Sequence, residues 1–170
     1  MLRSGDRFDA LFHAVPLPSP WSLEQYLASI STYRARPITL CPVDTTGMGE
    51  AGCGTGSGLW IARRDDDVIV YDRDTSGWHA QHIVLHEIGH MLLEHDRQDT
   101  LPTGVDIPVV GALLPSVSLE AIQYVLGRDA YDDVRERDAE AFADLAMVRA
   151  QMPGSPSASL RGTFFRGRRR

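Results

Sequence analysis

His86, Glu87 and His90 form an H-E-x-x-H motif, a spacing that suits the binding of one metal ion. In an α-helix, His86 and His90 lie one turn apart, so both imidazoles project from one face and can bind the same ion. Glu87 lies beside them and can act as a base toward a water molecule that the ion activates. The motif therefore predicts hydrolytic chemistry, most simply on a peptide bond, with Glu87 as the catalytic residue.

The residues around the motif predict that its helix is buried. Apolar side chains occupy most positions from Ile83 to Leu93 and would cover nearly the whole helix circumference. We expect this helix to run from about Trp78 to His95, with Thr75 or Ser76 as its N-cap. Gly89 lowers helix propensity by about 1 kcal/mol, but it lets another backbone or a substrate come close. The alternative interpretation is a core helix whose histidines are only hydrogen-bonded.

A catalytic zinc site needs a third protein ligand, which must come from another segment. Glu94 and His95 do not fit the spacing of a longer histidine motif, so we do not expect them to bind the ion. The helix predicted at Tyr131–Gln151 carries several acids and a face of small side chains. That face comprises Glu136, Ala139, Glu140, Ala143, Met147 and Ala150. Its alanines would let the two helices approach each other closely.

Three choices of third ligand are open on this helix. In the preferred one, Glu136 joins the two motif histidines around Zn²⁺, and Glu140 orients one of those histidines. In the second, Glu140 is the ligand and Asp144 orients it. In the third, Asp138 binds from the neighbouring, bulkier face of the helix. The oxyanion formed during hydrolysis also needs a donor, for which Tyr71, Tyr131 and His82 are candidates.

The remaining pattern predicts a small α+β domain. Periodicity indicates a helix at Ser22–Tyr33, a strand at Ile38–Val43, a hairpin of Leu59–Ala62 and Val68–Tyr71, and a short helix at Ser118–Leu126. We expect an antiparallel or mixed sheet of about three strands, packed on the motif helix. A hairpin strand at the sheet edge could pair with an extended peptide substrate.

Composition and the proline- and glycine-containing boundaries predict one domain with two flanking segments. Residues 1–19 are an N-terminal extension in which Phe8, Leu11 and Phe12 would form a short turn against the domain. Residues 20–152 form the domain, and residues 153–170 form a flexible, arginine-rich tail. Because the net charge is −6 and the tail is basic, the domain itself is strongly acidic. This disfavours nucleic-acid binding, except weakly through the tail.

Several further signs predict a cytoplasmic protein that does not enter a membrane. No apolar run approaches the length of a membrane span, and the first residues do not form a signal peptide. Cys41 and Cys53 are most simply reduced thiols.

The motif His-Glu-Ile-Gly-His, followed by Glu-Arg-Asp-Ala-Glu-Ala-Phe-Ala at residues 136–143, resembles the ImmA/IrrE family of metallopeptidases. The resemblance spans about Ser22 to Gln151. It implies a zincin-like fold and zinc-dependent cleavage of a partner protein, typically a helix-turn-helix repressor. The alternative is a non-catalytic regulatory module of the toxin–antitoxin type that keeps the zincin fold and binds such a partner.

Overall fold

The computed structural model of the chain describes residues 4–44, 58–95, 122–125 and 133–152. Its four helices are α1 (Ser4–Ala14), α2 (Leu23–Arg34), α3 (Gly77–Leu92) and α4 (Asp133–Gln151). Its four strands are β1 (Ile38–Val43), β2 (Gly58–Arg63), β3 (Asp67–Asp72) and β4 (Ile122–Val125). The predicted α+β class is therefore confirmed, and the predicted helices at 22–33, 78–95 and 131–151 match α2, α3 and α4 to within a few residues.

The described strands form one mixed sheet in the order β1-β3-β2-β4. β1 runs parallel to β3, whereas β2 runs antiparallel to both β3 and β4. The hairpin of β2 and β3 is confirmed, and its turn closes where Arg63 N donates to Asp66 O at 2.9 Å. Both hairpin strands lie inside the sheet. The expectation that one of them forms an edge is therefore wrong for the described sheet, whose edges are β1 and β4.

The fourth strand replaces part of the short helix predicted at Ser118–Leu126, and that prediction is wrong for residues 122–125. β4 pairs with β2, with Ala62 opposite Tyr124 and Ile61 opposite Val125. β-Branched and aromatic residues favour a strand once a partner strand is present, and a local helical pattern cannot anticipate that partner. The sheet consequently has four described strands rather than about three.

The N-terminal segment forms an 11-residue helix rather than the predicted short turn. It does pack on the domain, because Phe8 and Phe12 are buried against Phe142 of α4. The ring of Phe12 stacks on Phe142 with centroids 5.0 Å apart, and Phe8 meets the same ring nearly edge-on at 6.2 Å. A side-chain nitrogen of Arg7 also donates to Leu93 O, just beyond α3, at 2.9 Å. α1 thus contacts both α4 and the residue that follows α3.

The predicted tail at 153–170 lies outside the described residues. Cys53 also lies outside them, while Cys41 is a free thiol in β1. Among the residues that the structure describes, every helix is too short or too polar to cross a bilayer.

Candidate metal centre

Helix α3 carries the H-E-x-x-H motif through the centre of the molecule. Ser76 caps its N-terminus, where the hydroxyl oxygen accepts a hydrogen bond from His79 N at 3.3 Å. Every residue from Ile83 to Leu92 is buried, as the apolar pattern predicts. His86 is 1% exposed and His90 is fully buried, so their polar atoms require partners inside the protein.

The two motif histidines converge with Glu136 of α4. Their Nε2 atoms lie 3.0 Å apart. The carboxylate of Glu136 spans the pair, with one oxygen 3.5 Å from His86 Nε2 and the other 3.4 Å from His90 Nε2. Three ligands around tetrahedral Zn²⁺, with bonds of about 2.0–2.1 Å, stand about 3.3–3.4 Å from one another. The three side chains therefore fit a zinc ion after shifts of only a few tenths of an ångström.

The close approach of α3 and α4 depends on Gly89. A Cβ at this residue would lie 3.1 Å from both Cα and O of Ala139 and 3.3 Å from the ring of Phe142. The glycine and the small alanine thus let the two backbones nearly touch, as their positions in the sequence predict. Glu136 comes from the turn of α4 before Ala139, so this contact sets its distance from the histidines.

Glu140 lies one turn beyond Glu136 and contacts the far side of the His86 ring. Its Oε2 accepts from His86 Nδ1 at 3.2 Å. Zinc-bound histidines usually donate their second nitrogen to such a carboxylate, which fixes the ring and raises its basicity. The geometry therefore suits Glu136 as ligand and Glu140 as the residue that supports His86, which is the choice that the sequence favours.

The other two choices of third ligand fit less well. Asp138 faces α1, where its carboxylate lies 3.9 Å from Arg7. Asp144 is 69% exposed and lies 3.1 Å from Nε2 of His82, which is itself 3.7 Å from Glu140. His82, Glu140 and Asp144 are also close enough to hold a cation. Glu140, however, already accepts the hydrogen bond of His86, and His82 lies between Glu140 and the exposed Asp144.

Glu87, the expected base, lies close to the start of β2. A Cβ on Gly58 would lie 2.6 Å from Glu87 Oε1 and equally close to the Ile83 side chain. The absence of a side chain at Gly58 therefore makes room for the carboxylate. Glu87 is fully buried, and its charge helps to raise the pKa of the adjacent His86.

The two histidines differ in how they hold a proton. Burial lowers the pKa of His86, but the hydrogen bond to Glu136 and the charges of the nearby carboxylates together raise it above 6.5. Burial also lowers the pKa of His90, and positive charges nearby, His86 first among them, lower it further, to about 2. At neutral pH, His90 is therefore in the neutral form that a metal requires, and His86 is the histidine of the pair that takes up a proton first as the pH falls.

His95, which the sequence analysis set aside, lies directly behind His90. The two Nδ1 atoms are 2.8 Å apart, and His95 is 4% exposed. The sequence offers no clear signal for this contact. Spacing arguments assume that the helix continues, whereas α3 has ended before His95.

Tyr71, His82 and Tyr131 are the three candidates for the oxyanion donor. Tyr71 is partly buried and packs against the hydrophobic core. His82 contacts Asp144, and Tyr131 lies outside the described residues. None of these contacts singles out a donor, so all three remain candidates.

Comparison with known proteins gives no family assignment. No protein-family model, no curated protein and no solved structure matches this chain.

Proposed function

We propose that the protein is a zinc-dependent metallopeptidase whose metal ligands are His86, His90 and Glu136. The observation that carries the proposal is the convergence of these three side chains from α3 and α4, with ligand atoms 3.0–3.5 Å apart. Structural zinc sites use four protein ligands, whereas catalytic sites use three and keep one position open. The described residues supply three, which supports a catalytic site.

The surroundings of the three ligands support the same function. Both histidines are buried, but the side chain of Glu136 is 29% exposed, so the site reaches solvent on the α4 side. A substrate would enter there, because Glu136 is the one proposed ligand whose side chain is not buried. When bound, Zn²⁺ supplies Lewis-acid activation of water and of the scissile carbonyl.

Glu87 is the residue we assign to proton transfer. It takes the proton of the attacking water and delivers it to the leaving amine, the usual work of a carboxylate base in such sites. Gly58 gives its carboxylate room, and burial keeps it away from bulk water. His86 is the residue immediately before Glu87 on α3, so one helix positions both the base and the first ligand.

The substrate class follows from the motif resemblance. A helix-turn-helix repressor is therefore the first substrate to test. Such a partner fits the regulatory role that the resemblance implies, and an acidic domain with a basic tail carries charge of both signs for docking.

The decisive experiment compares the wild type with Glu87→Gln, both loaded with zinc, on a candidate repressor encoded beside the gene. Wild type should cleave the repressor. Glu87→Gln should retain one zinc per chain, measured by metal analysis, and lose about 10²- to 10⁴-fold in cleavage rate because the base is gone. Glu24→Gln, the same change at an exposed residue of α2, is the control and should behave as wild type.

Two results would overturn the proposal. Wild type that binds no zinc would remove the metal centre itself. Full biological activity in a Glu87→Gln variant that does not cleave the repressor would remove the peptidase mechanism and leave a binding module that keeps the fold and its metal.

A further inference from the structure

The chain folds back on itself immediately after α3. The helix ends at Leu92, and Leu93 N and Glu94 N donate to Gly89 O and Met91 O in the last turn. Glu94 then adopts a left-handed conformation with φ of 58°. This conformation is uncommon for a residue with a side chain and reverses the chain direction. The reversal places His95 beneath the helix end instead of continuing its spiral.

The reversal brings His95 into contact with the metal ligand His90. Their Nδ1 atoms lie 2.8 Å apart, and the rings meet at 70° with centroids 4.9 Å apart. Two ring nitrogens at this distance must share a single hydrogen, so one donates and the other accepts. Both side chains are buried, which holds this arrangement in place.

The direction of this hydrogen bond follows from the position of the metal centre. His90 Nε2 faces His86 and Glu136, so a metal ion would be bound through the lone pair on that atom. The ring hydrogen of neutral His90 must then be on Nδ1, where it donates to His95 Nδ1. His95 must accept through Nδ1 and carry its own hydrogen on Nε2.

We infer that His95 is a positioning residue that fixes the tautomer and ring orientation of His90 for metal binding through Nε2. The inference rests on the proposed metal centre. His95 would accept a hydrogen bond from His90 Nδ1, as Glu140 does from His86 Nδ1, but through a neutral imidazole instead of a carboxylate.

The charges around the centre explain why a neutral acceptor suits this place. Glu87, Glu136 and Glu140 already bring three carboxylates near the two histidines. Glu140 is partly exposed and its charge is solvated, whereas the position of His95 is almost fully buried. A fourth carboxylate there would carry a large desolvation penalty. An imidazole accepts the hydrogen bond without adding charge.

The test separates the loss of an acceptor from the loss of packing. His95→Leu keeps an apolar side chain in the space but removes the acceptor. His95→Asn keeps an acceptor, because asparagine Oδ1 occupies nearly the position of histidine Nδ1. His13→Leu, at an exposed histidine of α1, is the control.

The first readout is the zinc dissociation constant, measured by competition with a chelator. His95→Leu should bind zinc about 10- to 100-fold more weakly, the usual effect of losing a partner of a ligand histidine. His95→Asn should recover most of the affinity, and His13→Leu should match wild type. Circular dichroism of the metal-free variants verifies that each one is folded.

The second readout needs no variant and remains available if His95→Leu does not fold. Long-range ¹H–¹⁵N spectra of the zinc-loaded wild type should show His90 with its hydrogen on Nδ1 and a through-hydrogen-bond coupling to His95 Nδ1. A hydrogen on His90 Nε2, or equal zinc affinity in folded His95→Leu and wild type, would overturn the inference while the peptidase proposal stands. Wild type that binds no zinc would instead overturn the proposed function.

Discussion

Two buried polar clusters each contain a carboxylate, and they differ in what surrounds it. Asp67 at the start of β3 is fully buried among donors. Trp60 Nε1 lies 3.0 Å from one oxygen, and the guanidinium groups of Arg34 and Arg36 lie 3.3 and 3.4 Å from the other. At the α3–α4 interface, the side-chain nitrogens of two histidines and the carboxylate of Glu136 instead face one another. The carboxylate of the first cluster is paired with protein donors on both oxygens, whereas the second cluster has the ligand set that we propose for a cation.

The difference shows that burial of polar residues is not by itself evidence of function. Asp67 is as buried as His90, yet protein donors pair both of its carboxylate oxygens. Its ion pair with Arg34 attaches α2 to the sheet. We propose a metal centre at the α3–α4 interface because two histidine nitrogens and a carboxylate oxygen, which are ligand types that Zn²⁺ binds, converge there.

The largest effect is expected for Asp67→Ala. Removal of one partner from a buried charge cluster costs about 3–5 kcal/mol, and we expect about 3 kcal/mol because the arginines retain some contact with solvent. Urea unfolding of the metal-free protein measures this loss. Asp66→Ala, which breaks the hairpin-turn pair with Arg63, should cost less than about 1 kcal/mol. Equal losses in the two variants would contradict a structural role specific to Asp67.

Glu136→Gln should change zinc affinity strongly and stability little, the reverse of Asp67→Ala. The unfolding free energy of the metal-free protein should change by less than about 1 kcal/mol, because Glu136 is partly exposed. Its zinc affinity should fall by about 100-fold or more, since a ligand is lost rather than a supporting residue. Asp138→Asn, whose carboxylate faces Arg7, should retain wild-type affinity. If Asp138→Asn loses zinc and Glu136→Gln keeps it, the ligand assignment is wrong.

The smallest effect is the pH dependence of zinc binding. Because the pKa of His86 lies above 6.5 in the metal-free protein, zinc must displace one proton below that pKa. Affinity should therefore fall about tenfold per pH unit as the pH decreases through and below the raised pKa. His90, with a pKa of about 2, adds no second proton in this range. Chelator competition between pH 5 and 8 gives the slope, and a flat profile would contradict the proton assignment.

Much of this molecule could be predicted from sequence because the patterns are local. The continuous apolar strands of the hairpin, the apolar motif helix and the small-residue face of α4 can each be recognised from neighbouring residues alone. That face even indicates which acid approaches His86, because Glu136 and Glu140 share it with Ala139. The ligand assignment itself stays a prediction until zinc content is measured.

The features that sequence missed depend on contacts between distant segments or on a change of backbone direction. β4 looks helical until β2 supplies a partner strand. His95 looks irrelevant as long as α3 is assumed to continue, because only the left-handed residue Glu94 turns it back toward His90. No glycine marks that turn, so the usual signal for a helix end is missing there.

The contact between Arg7 and Leu93 has a practical consequence for work with this protein. α1 supplies none of the expected zinc ligands, yet it binds the chain one residue before the Glu94 turn and packs two rings on α4. A shortened protein that begins after Ala14 would lose these contacts, which link α4 to the end of α3, the two helices that carry the proposed zinc ligands. An affinity tag therefore belongs after residue 152, and the first helix should be retained in any preparation used to measure zinc.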